Sequence, residues 1–272
     1  MSGSGADPVV DLRLDRAHSA RMYDWYLGGH TNFAADREAA GKVLAVYPAA
    51  RTAARLTRQL THRVTRFLAR EGMRQFLDIG TGIPTPPNLH EVAQEVRPEA
   101  RVVYVDNDPI VLAHAAALLR SHTAGRTAYV QADATVPESV LRAPLLHATL
   151  DLGEPVALSL NALLHFVTDD GCDRAHAIVE CFKSAVPSGS TLAMTHATAD
   201  LTPTEMARIT EIYVRAGTPF QSRSKAEFTR FFDGWELVEP GVVLSHAWRP
   251  DGPAEPLPPG ADVCYAAVAR KP

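Results

Sequence analysis

"FLDIGTGIPTPPN", residues 76–88, is an apolar run that closes on Asp78 and opens into two glycines, Gly80 and Gly82. A strand, an acid and a tight glycine turn, in that order, begin the first unit of a nucleotide-binding α/β domain. The phosphate fingerprint then fails at its next place. G-x-G-x-x-G wants a glycine at 85, where this chain has Thr85 with Pro84, Pro86 and Pro87 around it. The following helix is expected to begin no earlier than Pro86 or Pro87, which suit a first helical turn but remove two N–H donors. Such a helix end serves a pyrophosphate poorly, so the loop points to a ligand without one.

Outward from this loop the chain alternates. Short β-rich runs at 74–80, 100–106, 126–133, 155–161 and 190–196 are interleaved with helical stretches around 88–97, 109–121, 136–147 and 169–186. Strand and helix repeated in this way predict a parallel sheet with helices on both faces, because each right-handed crossover carries the chain back. Helical stretches near 202–216 and 224–232 then lead to two strands, 235–250 and 261–271, joined by a Pro/Gly-rich loop too short for a helix. That last pair must be antiparallel. The expected fold is α/β and Rossmann-like: a seven-stranded, mostly parallel sheet with an antiparallel last strand, a layout that resembles the class I methyltransferases.

In doubly wound folds the ligand lies at the carboxyl ends of the strands. Asp106 ends the second strand in "VVYVDNDP", where a carboxylate can accept both ribose hydroxyls, and Asn107 follows it. Asp133 ends the third strand beside Ala134, placed for an adenine amino group and a ring nitrogen. Asp78, before Gly80, Thr81 and Gly82, can face a cationic amino-acid end, with Asn161 at the end of the fourth strand. An isolated strand-end acid often does no more than cap a turn. Three on consecutive strands favour an adenosine ligand carrying a cation, which describes S-adenosylmethionine, with S-adenosylhomocysteine as its product.

The stretches "FLDIGTGIPTPPNLHEVAQ", "ARVVYVDNDPIVLAHA", "YVQADAT", "THATAD" and "RMYDWYLGGHTNFAADRE" together resemble the bacterial S-adenosyl methyltransferase family, formerly catalogued only as a domain of unknown function. The resemblance runs from about residue 16 to the end. It implies a class I methyltransferase fold and binding of S-adenosylmethionine, and it implies no particular acceptor. Many members of the wider superfamily keep a third glycine where this chain has Pro84, whereas within this family the proline is usual.

Ahead of the sheet, residues 1–15 read as a frayed tail and 16–74 as a helical region, with 75–272 the cofactor-binding domain. Residues 1–74 hold 12 Lys/Arg against 7 Asp/Glu, although the whole chain has a net charge of −4. Arg55, Arg58, His62, Arg66 and Arg70 recur at helical spacing opposite Leu56, Leu60, Val64 and Phe67, which reads first as a solvated basic face. In "YDWYLGGHTNF" a helix is expected to end at Gly28 or Gly29, with Asn32 capping the next near Phe33. Arg21, Tyr23, Tyr26, Asn32 and Phe33 are the candidates for a lid that covers the donor and shapes the acceptor pocket.

Methyl transfer is an in-line displacement in which proximity does most of the work, and a base is needed only where the nucleophile must lose a proton. His165 and His196 are the candidate bases, each with a plain packing role as the alternative. No histidine or carboxylate cluster calls for a metal. The residues after strand four are Asn161-Ala162-Leu163-Leu164 rather than Asp/Asn-Pro-Pro-aromatic, which argues against a nucleic-acid amino methylase. Asn161 in place of an acid argues against a metal-dependent catechol-type enzyme. A small-molecule acceptor is left.

The three cysteines form no framework or knuckle, no signal core opens the chain, and no run of 18 apolar residues crosses a membrane, so a cytoplasmic protein is expected. The alternatives are a protein that binds the donor without turnover and a nicotinamide oxidoreductase, which the prolines of the loop oppose.

Overall fold

In the computed structural model, residues 12–111, 114, 121–252 and 257–272 are described. Residues 1–11 of the expected tail and most of the helix expected at 109–121 lie outside them; 109–111 and 114 are helical. Three helices come first: α1 (Ser19–Tyr26), α2 (Ala34–Val46) and α3 (Ala50–Arg70). The alternating part follows with β1 (Gln75–Ile79), α4 (Leu89–Val96), β2 (Arg101–Asp106), β3 (Arg126–Gln131), α5 (Pro137–Leu141), α6 (Pro144–Thr149), β4 (Ala157–Asn161), α7 (Arg174–Ser184) and β5 (Thr191–Ala197). The chain ends with α8 (Pro203–Arg215), α9 (Lys225–Arg230), β6 (Glu236–Leu237), β7 (Val243–Leu244) and β8 (Cys264–Arg270).

The sheet order is β3-β2-β1-β4-β5-β8-β6, with β7 also on β8. Strands β1 to β5 are parallel, and β8 runs antiparallel to β5, β6 and β7. The single strand expected over 235–250 is therefore two short pieces that share one edge of β8. Gly241, at φ +77°, lies between them and turns the chain off the ladder. The helix expected at 136–147 is likewise two, because Pro144 cannot continue α5.

Period-two alternation sorts the strands onto two cores. Phe76 and Val102 face α3 and α4, with Leu60, Val64, Leu68, Leu89 and Trp248. Leu77, Ile79, Val103 and Val105 face the other side, with Val140, Ile178, Phe182 and Phe228 from α5, α7 and α9. A third cluster packs α1 and α2 on α8 through Met22, Tyr26, Ala40, Met206, Ile209 and Tyr213. The sheet reverses order between β1 and β4, so its crevice opens there, at the carboxyl ends of the strands. The N-terminal helices roof that crevice.

One acid ties the roof together. Asp36, wholly buried, accepts the backbone N–H of Phe33 through one oxygen and of His18 through the other, both at 2.8 Å. It thereby caps α2 and holds the start of α1. Phe33, not Asn32, is the N-cap residue of α2. Asn32 instead donates its amide to Asp24 and to the Gly29 carbonyl. No described helix is long and apolar enough to cross a membrane.

Candidate functional site

The turn after β1 has positive φ at both glycines, +73° at Gly80 and +69° at Gly82. Its backbone donors are already engaged. Gly80 and Thr81 give their N–H groups to the Val105 carbonyl at 2.8 and 3.1 Å, and Gly82 gives its own to Asp106 Oδ2 at 2.7 Å. Pro84, Pro86 and Pro87 have none to give. Helix α4 begins at Leu89, past the prolines and within the stretch expected around 88–97, because Asn88 caps it and Glu91 reaches back to the Asn88 N–H. A carboxylate thus already occupies the helix end where a phosphate would sit.

Proline-rich loops keep their carbonyls, and these need donors. Arg58 supplies them from α3, with hydrogen bonds to the Thr85 and Pro87 carbonyls. The basic side of α3 is accordingly not one solvated face. Arg63, buried on the same helix, holds the Ser245 and Trp248 carbonyls, while Arg55 and Arg70 are exposed.

A cavity of about 450 Å³ opens over the strand ends. It brings together Asp78, Gly80, Thr81, Gly82, Asp106, Asn107, Asp133, Ala134 and Asn161. Asp106 is buried and accepts the Gly82 and Asp108 N–H groups, one on each oxygen. A carboxylate has roughly four lone-pair sites, so two remain. Burial pushes the Asp106 carboxyl above its ordinary value, with the two backbone donors opposing. Burial also raises Asp78, against the hydroxyls of Thr81 and Ser159 and the charge of Arg58. Ser159 in turn accepts the Asn161 amide at 2.7 Å. Asp133 is exposed, and it caps its own turn through the Thr135 N–H at 2.8 Å.

The lid candidates divide. Tyr23 and Tyr26 line the cavity, as does Ala20, whose Cβ would lie 4.0 Å from a side chain at Gly82. Arg21, Asn32 and Phe33 do not line it. Arg21 is buried and grips both oxygens of Asp108 at 2.8 and 2.9 Å. That pair ties α1 to the segment carrying Asp106. Although burial pushes it up, Arg21 and His18 pull Asp108 below the usual carboxylate value. Phe33 packs with Ile83, Ile110 and Tyr129, and the Arg21 guanidinium lies 5.5 Å from its ring.

The two histidines differ in the same way. His196 is buried away from the cavity, with Nδ1 on the Ala197 carbonyl and Nε2 accepting from Arg223 at 2.7 Å. Burial, helped by the Arg223 charge, takes its pKa down to about 4. Both of its nitrogens are thus engaged within the protein. His165 lines the cavity, packed against Phe166 and Phe220, and burial holds it well below its ordinary pKa. Its Nδ1 is buried without a hydrogen-bond partner.

The profile of the S-adenosyl methyltransferase family matches residues 6–272, nearly the whole chain. This chain belongs to that family. A DUF574 family protein from Streptomyces avermitilis MA-4680 is 49% identical, with 96% of this methyltransferase on 100% of that chain and a TM-score of 0.93. A candidate methyltransferase from Thermobifida fusca YX is 38% identical, covering 97% of this chain and 98% of its own, with a TM-score of 0.88. No curated protein matches the chain. The cofactor of the family is S-adenosylmethionine.

The site suits that cofactor. Its turn allows close approach without offering a phosphate cradle, and acids with unused lone pairs stand at three strand ends. The far side of the methyltransferase's cavity was not legible in the sequence. Tyr47, Phe166, Met206, Ile209, Tyr213, Phe220 and Cys264 line it from segments more than 200 residues apart. Their periodicity marks them only as core. Among the described residues no group of three or more His, Cys, Asp or Glu is arranged to hold a metal.

Proposed function

We propose that this enzyme transfers a methyl group from S-adenosylmethionine to a small-molecule acceptor. The donor would lie over the ends of β1 to β4 and the acceptor beneath α1, α2 and α8. The observation that carries this reading is the turn after β1, whose three N–H groups are engaged while two lone-pair sites of Asp106 are not. When bound, the cofactor supplies a methyl group on a cationic sulfur.

The residues do the rest. Asp106 accepts the ribose hydroxyls on its two remaining sites. Asp133 and the Ala134 backbone meet the adenine edge, and Asp78 with the backbone near Asn161 holds the amino-acid end. Residues 16–74 act as the cover, with Tyr23 and Tyr26 on its inner surface, and exclude water from the reacting atoms. Because the step is a displacement, alignment of the two partners is what these walls contribute.

The test is calorimetry of S-adenosylhomocysteine with the wild type and Asp106→Ala. Removing a buried, multiply bonded carboxylate should weaken binding by about 1.5–3 kcal/mol. An unchanged dissociation constant in the folded variant would sink the assignment.

A further inference from the structure

The charged residues that line the cavity come from the strand ends, from α3 and from the segment leading into α1. Asp78, Asp106, Asp133 and Arg58 surround the strand ends, and Arg13, Arg16 and His18 belong to the segment leading into α1. The other end is built by α1, α2, α8, the turn after β4 and residues 217–220. Among the described residues lining it, none is Asp, Glu, Lys or Arg.

Rings take their place. Tyr213 stacks on Phe220, with centroids 5.0 Å apart and planes at 20°. Phe166 meets these two at 5.5 and 5.8 Å, and His165 lies 5.1 Å from Phe220. Met206 and Ile209 add apolar wall from α8. An ionic group entering here would lose its water and find no counter-charge. A flat ring would meet a wall of rings, a contact that aromatic groups favour, and would have few rotors to freeze.

We propose that this end receives an uncharged, planar aromatic acceptor, with the substituent to be methylated directed toward the strand ends. The proposal rests on the methyl-transfer reading above.

Three probes test it on the full chain saturated with S-adenosylhomocysteine, by calorimetry: 2-naphthol, naphthalene-2-sulfonate and decahydro-2-naphthol. Binding of 2-naphthol about 100-fold tighter than the sulfonate is expected, from the unpaired burial of the anion. The saturated analogue should bind more weakly than the flat one. Equal or tighter binding of either comparator overturns the proposal, and so does absence of 2-naphthol binding to protein that binds S-adenosylhomocysteine. If S-adenosylhomocysteine itself does not bind, the methyl-transfer reading falls and this proposal with it. In Ile209→Lys, which introduces a cation into the wall, the sulfonate should gain at least tenfold over 2-naphthol. An unchanged ranking in a variant that still binds S-adenosylhomocysteine counts against the proposal, and the wild-type ranking decides if the variant does not fold.

Discussion

At the strand ends, the polar groups of the cavity come from four short turns between Asp78 and Asn161, each following a strand of one parallel sheet. Across the cavity, the apolar wall is gathered from α1, α2, α8 and the segments around Phe166, Phe220 and Cys264. The first region is fixed by backbone and by carboxylates whose oxygens are already half committed; the second is fixed only by side-chain packing. A sheet holds atoms to a fraction of an ångström and so suits an invariant donor, whereas a packed wall can change its lining without disturbing the sheet. On the methyl-transfer reading proposed above, donor specificity and acceptor specificity are built into different kinds of structure.

The contrast breaks first at Arg21, which joins the two regions. Arg21→Ala takes from buried Asp108 its two guanidinium hydrogen bonds and leaves His18 3.4 Å away, and loss of one member of such a pair destabilises by about 3–5 kcal/mol. Chemical denaturation measures it, and a loss below about 1 kcal/mol would mean that the roof is held elsewhere. Gly80→Ala comes next, at about 1–3 kcal/mol, because its φ is +73° and an added Cβ would come within 2.6 Å of Leu163. Gly28→Ala is its control in the roof: φ is +85° but nothing lies within 4 Å. The variant should lose only the backbone part, about 1–2 kcal/mol, so equal losses would show that Leu163 simply moves aside.

Acid sharpens the same contrast more gently. Burial raises Asp78 and Asp106, so each takes up its proton at a higher pH than an ordinary carboxyl. A protonated acid no longer favours a cation. Affinity for S-adenosylmethionine should therefore decline as pH falls, starting above the usual carboxylate value of 3.8. Calorimetry across the acid range checks it, and a constant affinity down to about pH 4 would contradict it. The smallest effect is an expected absence of change. His196 titrates near 4 and His165 well below its ordinary value, so their ring proton resonances should hold steady between pH 8 and about 6. Movement of either near pH 6.5 would show it to be solvated. For His196 the depressed folded value also means stability that is present above about pH 6.5 and lost as pH falls toward 4.

The sheet and its ligand loop were legible in the sequence because both depend on local signals. Period-two apolar runs mark β1 to β5, and an acid at the end of each of the first three needs no tertiary knowledge to be seen. The stretch expected around 88–97 holds α4, and Asn88 with Glu91 sets its start at Leu89, past the prolines. Asn32 has the composition of a cap, yet the Asp36 carboxylate takes that role for the Phe33 N–H. Arg58 looked solvated because spacing reveals which face a residue shares, not which loop passes over it. The apolar wall was invisible for the same reason: Tyr47, Tyr213 and Phe220 read as ordinary core until the fold leaves a space between them.

The engaged N–H groups of the β1 turn bear on how such a cofactor preference can change over time. Replacing Pro84, Pro86 and Pro87 by glycine would restore the look of a dinucleotide motif. It would not free Gly80, Thr81 or Gly82, whose donors are bound to Val105 and Asp106 in the neighbouring strand. Nor would it remove Glu91 from the helix end. A switch to phosphate recognition would require the loop, the second strand's last residues and the helix cap to change together. The preference is therefore spread over several coupled contacts rather than held by any one residue.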